Sequence, residues 1–185
     1  MASKVQFSLY FFCSLLLLQT LSNVPVEGKL EDVLNALYDV RHNAMSLTLQ
    51  IACPQLISSS LRTRNLSTIT IFSVPEKAFG EYGQPSLDVL RYHVALGKLE
   101  IKDLRSSLPR GFKIDTLFDG HPLIVTTTDP QNPSINNMTI TMPDIYTDGQ
   151  VIVHGVESFF DPYQKVLYPA VDTENLEKSG RSDMR

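Results

Sequence analysis

Cysteine is scarce in this 185-residue chain, which has only Cys13 and Cys53. Cys13 lies in an apolar leader, so a processed chain keeps one thiol and can form no internal disulfide. Cys53 is then a buried free thiol packed as a small hydrophobe, or the covalent link to a second molecule. It is far in sequence from every histidine, which leaves too few ligands for a Cys/His zinc site. Runs of basic residues are missing as well. With 16 Lys and Arg against 20 Asp and Glu, and a net charge of −4, no stretch could follow a phosphate backbone, and nucleic acid is not expected as a partner. The apolar run from Phe7 to Leu18 follows one lysine, is too short to cross a bilayer, and gives way to small or polar residues at Thr20 and Ser22. It reads as a secretory signal peptide cut near Ser22–Asn23. The C-terminal NLEKSGRSDMR lacks the hydrophobic tail of a lipid-anchor signal, so no membrane insertion is expected after cleavage.

Removing residues 1–22 leaves about 163 residues, the size of one domain able to bury its own core. The domain is expected over 23–168, with a polar, disordered tail at 169–185. Neither an internal repeat nor a Pro-rich glycosylated stalk is visible. From Glu27 to about Leu49 the chain has helical period: Leu30, Val33, Leu34, Leu37 and Tyr38 line one side, and RHN at 41–43 breaks the run in two. Pro54–Leu61 suits a second short helix. TITIFSV at 68–74 reads as a strand closed by Pro75, after which PEKAF starts a short helix. Ser86 is placed to cap a helix ending at Gly97, with Leu87, Leu90 and Val94 on one face. Beyond Gly111 four short strands follow, FKIDTLF, HPLIVTTT, MTITM and QVIVHGV, separated by turns that include Asp–Gly at Gly120 and Gly149. Helices, one strand, helices and then several strands make an α+β order, unlike the alternation of a parallel sheet.

Candidate chemistry is thin. Asn65 (NLS) and Asn137 (NMT) are N-glycosylation sequons, which place both on the surface of a secreted chain. The four histidines, His42, His93, His121 and His154, show no metal-binding spacing, so no metal or other cofactor is expected. His93 lies among apolar neighbours, and period-two alternation puts His154 on one strand face with Ile152 and Val156. A packed ring satisfied by the main chain suits both better than a catalytic base. No GxSxG elbow is present. Asp144, Asp148 and Asp161 occupy turn positions, so a hydrolytic carboxylate pair with Glu157 is not expected either.

The stretch TIFSVPEKAF resembles the first conserved box of the fasciclin domain family (FAS1). Thr70, Ile71 and Phe72 match its start, and Ala78 and Phe79 its end. Val74 and Pro75 stand where the family has Pro–Thr, and Glu76 where it has aspartate. Tyr92 and His93 are similar to the family's central Tyr–His element. Ile152, Val153, His154, Gly155, Val156, Phe159, Phe160 and Pro162 resemble its second box. The likeness runs over residues 28–168. With the leader, the chain resembles a small plant secreted fasciclin-like protein without arabinogalactan glycomodules or a lipid anchor. The resemblance implies a wedge of strands flanked by helices, with both boxes and the Tyr–His element in the core. It also implies a non-catalytic role in adhesion or matrix organisation. The partners expected are extracellular glycans or matrix and cell-surface proteins of the apoplast or cell wall. Loops near DPQNPS and TDG, with Tyr82, Tyr146 and Tyr163, are the candidate recognition surface. The alternative is a carrier of a small apolar ligand between helices and sheet.

Overall fold

The computed structural model describes residues 26–52, 68–164 and 166. The leader, Cys53, the segment 54–61, Asn65 and the tail lie outside the described residues.

Helix α1 (Val26–Asp39) buries Val33 and Leu37 and half-buries Leu30 and Leu34, the face set by its spacing. Tyr38, expected on that face, is instead 67% exposed. The helix closes in a Schellman motif. Arg41 takes a left-handed φ of 63°, Arg41 N–H donates to Tyr38 O (3.0 Å) and His42 N–H donates to Leu37 O (2.9 Å), so two end carbonyls are satisfied without glycine. The chain re-enters helix at once as α2 (43–52), whose Met45 and Leu49 reach the core. The Glu76 carboxylate accepts from Ala44 N–H (2.8 Å), where a helix N-terminus favours negative charge.

Strand β1 (Ile69–Ser73) is buried at every residue, because it is central and covered on both faces. Short helix α3 (Glu76–Tyr82) follows Pro75. In α4 (Leu87–Tyr92) the Ser86 hydroxyl caps Val89 N–H at 3.3 Å. This helix ends at Tyr92, earlier than the expected Gly97, and Val94–Leu96 forms β2. Pairing decides this: β2 runs antiparallel to β1 with Ile71 opposite Val94, and those ladder bonds replace another helical turn. Leu87, expected on the core side, is 46% exposed; Leu90, expected there too, is buried, and so are Val89 and Tyr92. A π-helical turn (Asp103–Ser107) buries Leu104.

Strands β3 (Lys113–Ile114), β4 (Leu123–Ile124), β5 (Ser134–Ile135), β6 (Met138–Thr147) and β7 (Val151–Val156) complete the fold. One sheet has the order β2-β1-β7-β6-β5, with β1 and β7 parallel and the other pairs antiparallel. A second pairs β3 with β4. Single bridges join the two at both ends, Ala95 to Thr116 and Val125 to Ile135, so the strands curl round one core of mixed α+β character. MTITM was an expected strand and starts β6, but β5 and the hairpin that joins them were not expected. Its two turn residues, Asn136 and Asn137, have φ of 50° and 63° between paired Ile135 and Met138. That is the primed turn which matches strand twist, and asparagine tolerates it.

Candidate functional site

Three of the four histidines converge on the end of β1. The His93 ring is fully buried, and Phe160 N–H donates to its Nε2 (2.8 Å). Since a main-chain N–H can only donate, Nε2 carries no proton; Nδ1–H therefore donates to Phe72 O (2.8 Å). His154 is the opposite tautomer. Asp144 N–H donates to its Nδ1 (3.0 Å) and its Nε2–H donates to Leu99 O (2.8 Å). Both rings are neutral bridges between distant pieces of main chain. Burial pushes His93 down to about 4 despite the bond to Phe72, and lowers His154 against the pull of Leu99 and Asp144. His42 Nδ1 lies 2.8 Å from Ser73 Oγ, with its pKa lowered by burial and partly restored by Glu76. This is a nucleophile–base pairing in kind, but Ser73 is wholly buried. Its work is to tie the α1–α2 turn to β1.

The other box residues are placed around these rings. Thr70 Oγ1 donates to Gly97 O (2.9 Å) and accepts from Leu99 N–H (2.9 Å), holding the chain beyond β2. The Phe72 ring meets Phe160 edge-on at 5.5 Å and lies 6.0 Å from His154. Phe79 meets Phe159 edge-on at 5.0 Å, and Tyr82 lies against the same ring. Tyr92 Oη donates to Pro122 O (3.2 Å) and accepts from Asn136 Nδ2 (2.7 Å); burial raises its pKa, Asn136 opposing and Asp161 adding to the rise. Asn136 also accepts from Ile124 N–H (2.8 Å). Sequence reasoning passed over Asn136, although the Asn–Asn pair at 136–137 was the available signal.

Gly155 is a glycine because a methyl group has no room there. A Cβ would come 2.9 Å from Met142 Cβ, 3.3 Å from Ile145 Cδ1 and 3.4 Å from His42 Cε1. Gly155→Ala is expected to cost about 1–3 kcal/mol through overpacking, read as a lower urea midpoint. An unchanged midpoint would mean that the irregular stretch of β6 opposite can withdraw. That stretch has register shifts on both sides of Met142 and a positive φ of 53° at Asp144, and it aims Asp144 N–H at His154.

Outside the core, the candidate surface residues separate. Asn137 is exposed at the hairpin tip, its N–H held by Thr126 Oγ1 (2.9 Å). Tyr146 is half-buried against the core; burial raises its pKa, with Asp148 and Asp32 adding to the rise. Pro162 is half-buried and starts the last turn, where Tyr163 N–H donates to Asp161 Oδ1 (2.9 Å). Tyr163 is 74% exposed, edge-on to Phe118 and His121, which stack on each other at 4.0 Å. Asp148 accepts from Gln150 and Val151 N–H and pairs with Lys29 at 3.0 Å, fastening the β6–β7 turn to α1. Among the described residues no group of three or more His, Cys, Asp or Glu could hold a metal ion.

No family model matches the chain. Over 170 residues it is 31% identical to a fasciclin-like arabinogalactan protein of Arabidopsis thaliana, covering 90% of this chain and 38% of that protein. The chain thus spans well under half of that relative. Among solved structures, a FAS1 domain pair from the insect cell adhesion molecule fasciclin I has a TM-score of 0.48. It is 13% identical, with 64% of this chain and 45% of that chain covered.

Proposed function

We propose, for a chain that is a fasciclin-domain protein, that it is a secreted, N-glycosylated binding domain of the extracellular matrix or cell wall, acting by recognition and not by turnover. The likeness to a fasciclin-like arabinogalactan protein along 90% of the chain carries this reading. Two features are consistent with it. Asn137 stands exposed on a tight hairpin, where an attached glycan would disturb no packing. The buried histidines spend their ring nitrogens on holding the scaffold, a use that suits a rigid platform presenting its surface.

The test is secretion of the full chain from a eukaryotic host. Intact mass is recorded with and without Asn137→Gln, and the protein is then screened on cell-wall glycans and extracellular extracts. Release into the medium, one glycan mass lost in the variant, and a saturable partner are expected. Retention inside the cell, or a glycan-free Asn137, would overturn the secreted-glycoprotein reading. A screen without any saturable partner would overturn the binding role.

A further inference from the structure

The three buried histidines differ in what an added proton would displace. On His42 it displaces nothing, because the Ser73 hydroxyl beside Nδ1 (2.8 Å) can either donate or accept. On His93 it expels Phe160 N–H from Nε2 (2.8 Å), and the ring's other neighbours are Phe72 O and the Phe159 and Phe160 rings. On His154 it expels Asp144 N–H from Nδ1 (3.0 Å). Here a replacement is at hand, since Asp144 Oδ1 lies 3.7 Å from the same nitrogen. One residue thus offers the ring a donor for its neutral form and an acceptor for its charged form.

The surroundings allow that exchange. His154 Nε2–H donates to Leu99 O (2.8 Å) in either form, so the ring keeps its place. The strand opposite is irregular, with register shifts on both sides of Met142 and a left-handed φ of 53° at Asp144. Residues 141–144 are exposed, so an amide released there meets water and is not orphaned in the core. The groups around the ring are few. From β1 it meets the Phe72 ring at 6.0 Å. Beyond β2, Lys98 and Glu100 flank Leu99 and pair with each other at 2.5 Å. His42 packs beside the adjoining Gly155, and Glu157 is the next ionisable residue along β7. Burial lowers the His154 pKa, while the Leu99 bond and the Asp144 charge pull it back. His93, without such a charge, is held down to about 4.

We propose that the irregular segment of β6 around Asp144 is an acid-sensitive switch latched by His154. With the ring neutral, the latch is Asp144 N–H on Nδ1. With the ring protonated from solvent, it is Nδ1–H on the Asp144 carboxylate, which a small side-chain rotation brings into hydrogen-bond range. The exposed main chain at 141–144 changes course while the core stays folded. This device belongs to the scaffold and holds whatever the domain binds.

The test is a titration of the isotope-labelled full chain from pH 7 downward. The Asp144 amide and the His154 Nδ1 resonance are followed by NMR, and the fold by circular dichroism. Both resonances should move with one shared midpoint, below the ordinary 6.5 of a histidine and above the pH at which the chain unfolds. Asp144→Asn keeps the N–H and tolerates the left-handed φ but removes the charge. It should lower that midpoint by roughly half a pH unit or more, with an unchanged melting temperature at pH 7. An Asp144 amide that stays put until the chain unfolds would overturn the proposal. So would an amide that follows a different histidine, or a midpoint that Asp144→Asn leaves in place. The wild-type titration decides by itself should the variant not fold.

Discussion

Acidification from pH 7 to pH 4 is expected to remove about 3 kcal/mol of folding stability through His93 alone. In the unfolded chain this imidazole takes a proton near its ordinary 6.5, whereas burial in the native core holds it neutral down to about 4. Between those values the unfolded chain binds more protons, so stability rises with pH. The contribution is fully present above about pH 6.5 and is lost as pH falls towards 4, at about 1.36 kcal/mol per pH unit. His154 and His42, both also lowered chiefly by burial, act in the same direction. The structural reason is specific. A proton on His93 Nε2 would abolish the bond from Phe160 N–H, and one on His154 Nδ1 would abolish the bond from Asp144 N–H. Carboxylates act lower on the scale. Asp148 is raised by burial but lowered further by Val151, Gln150 and Lys29, to about 2, so its share is lost only below the usual carboxylate range. Urea midpoints at pH 7, 5.5 and 4.5 measure the effect, and imidazole NMR shifts should show His93 still neutral at pH 5.5. A flat midpoint across that range would refute the buried neutral ring.

Phe160→Ala is expected to cost about 3–5 kcal/mol. Its ring is fully buried, stacks on His93 at 4.6 Å, and meets Phe72 and Tyr92 edge-on at 5.5 Å and 6.2 Å. Alanine would keep the N–H that satisfies His93 Nε2 but open a cavity between the Tyr–His element and β1. That is a large part of the 5–15 kcal/mol typical of a domain. Phe160→Leu keeps much of the volume and should cost distinctly less. Equilibrium urea unfolding reads both. A loss below about 1 kcal/mol for the alanine variant would mean that the site collapses freely around the gap.

Helix and strand identities were legible where periodicity was strong and local. The α1 face, the break at 41–43, the Ser86 cap, β1, β7 and the Asp–Gly turns all follow from short-range preferences. Local signals misplaced Val94–Leu96, whose helical continuation loses to pairing with a strand more than twenty residues away. They also missed β5, which is two residues long and exists only because β6 lies beside it.

Residue types pointed to packed histidines and an exposed Asn137, and the resemblance to the fasciclin family pointed to the two boxes and the Tyr–His element. From composition, neither a disulfide framework nor a nucleic-acid partner is expected. Only the tertiary structure decided what each histidine bonds to, since Phe72, Leu99, Asp144 and Phe160 lie between ten and sixty-seven residues from their rings. Only it brought Tyr163 to Phe118 and His121, and buried part of Tyr146. The physical reason is range. Propensity, capping and turn chemistry act within a few residues, while a ring's tautomer, its pKa and the walls of a cleft depend on which distant main-chain groups the packed core brings within hydrogen-bond reach.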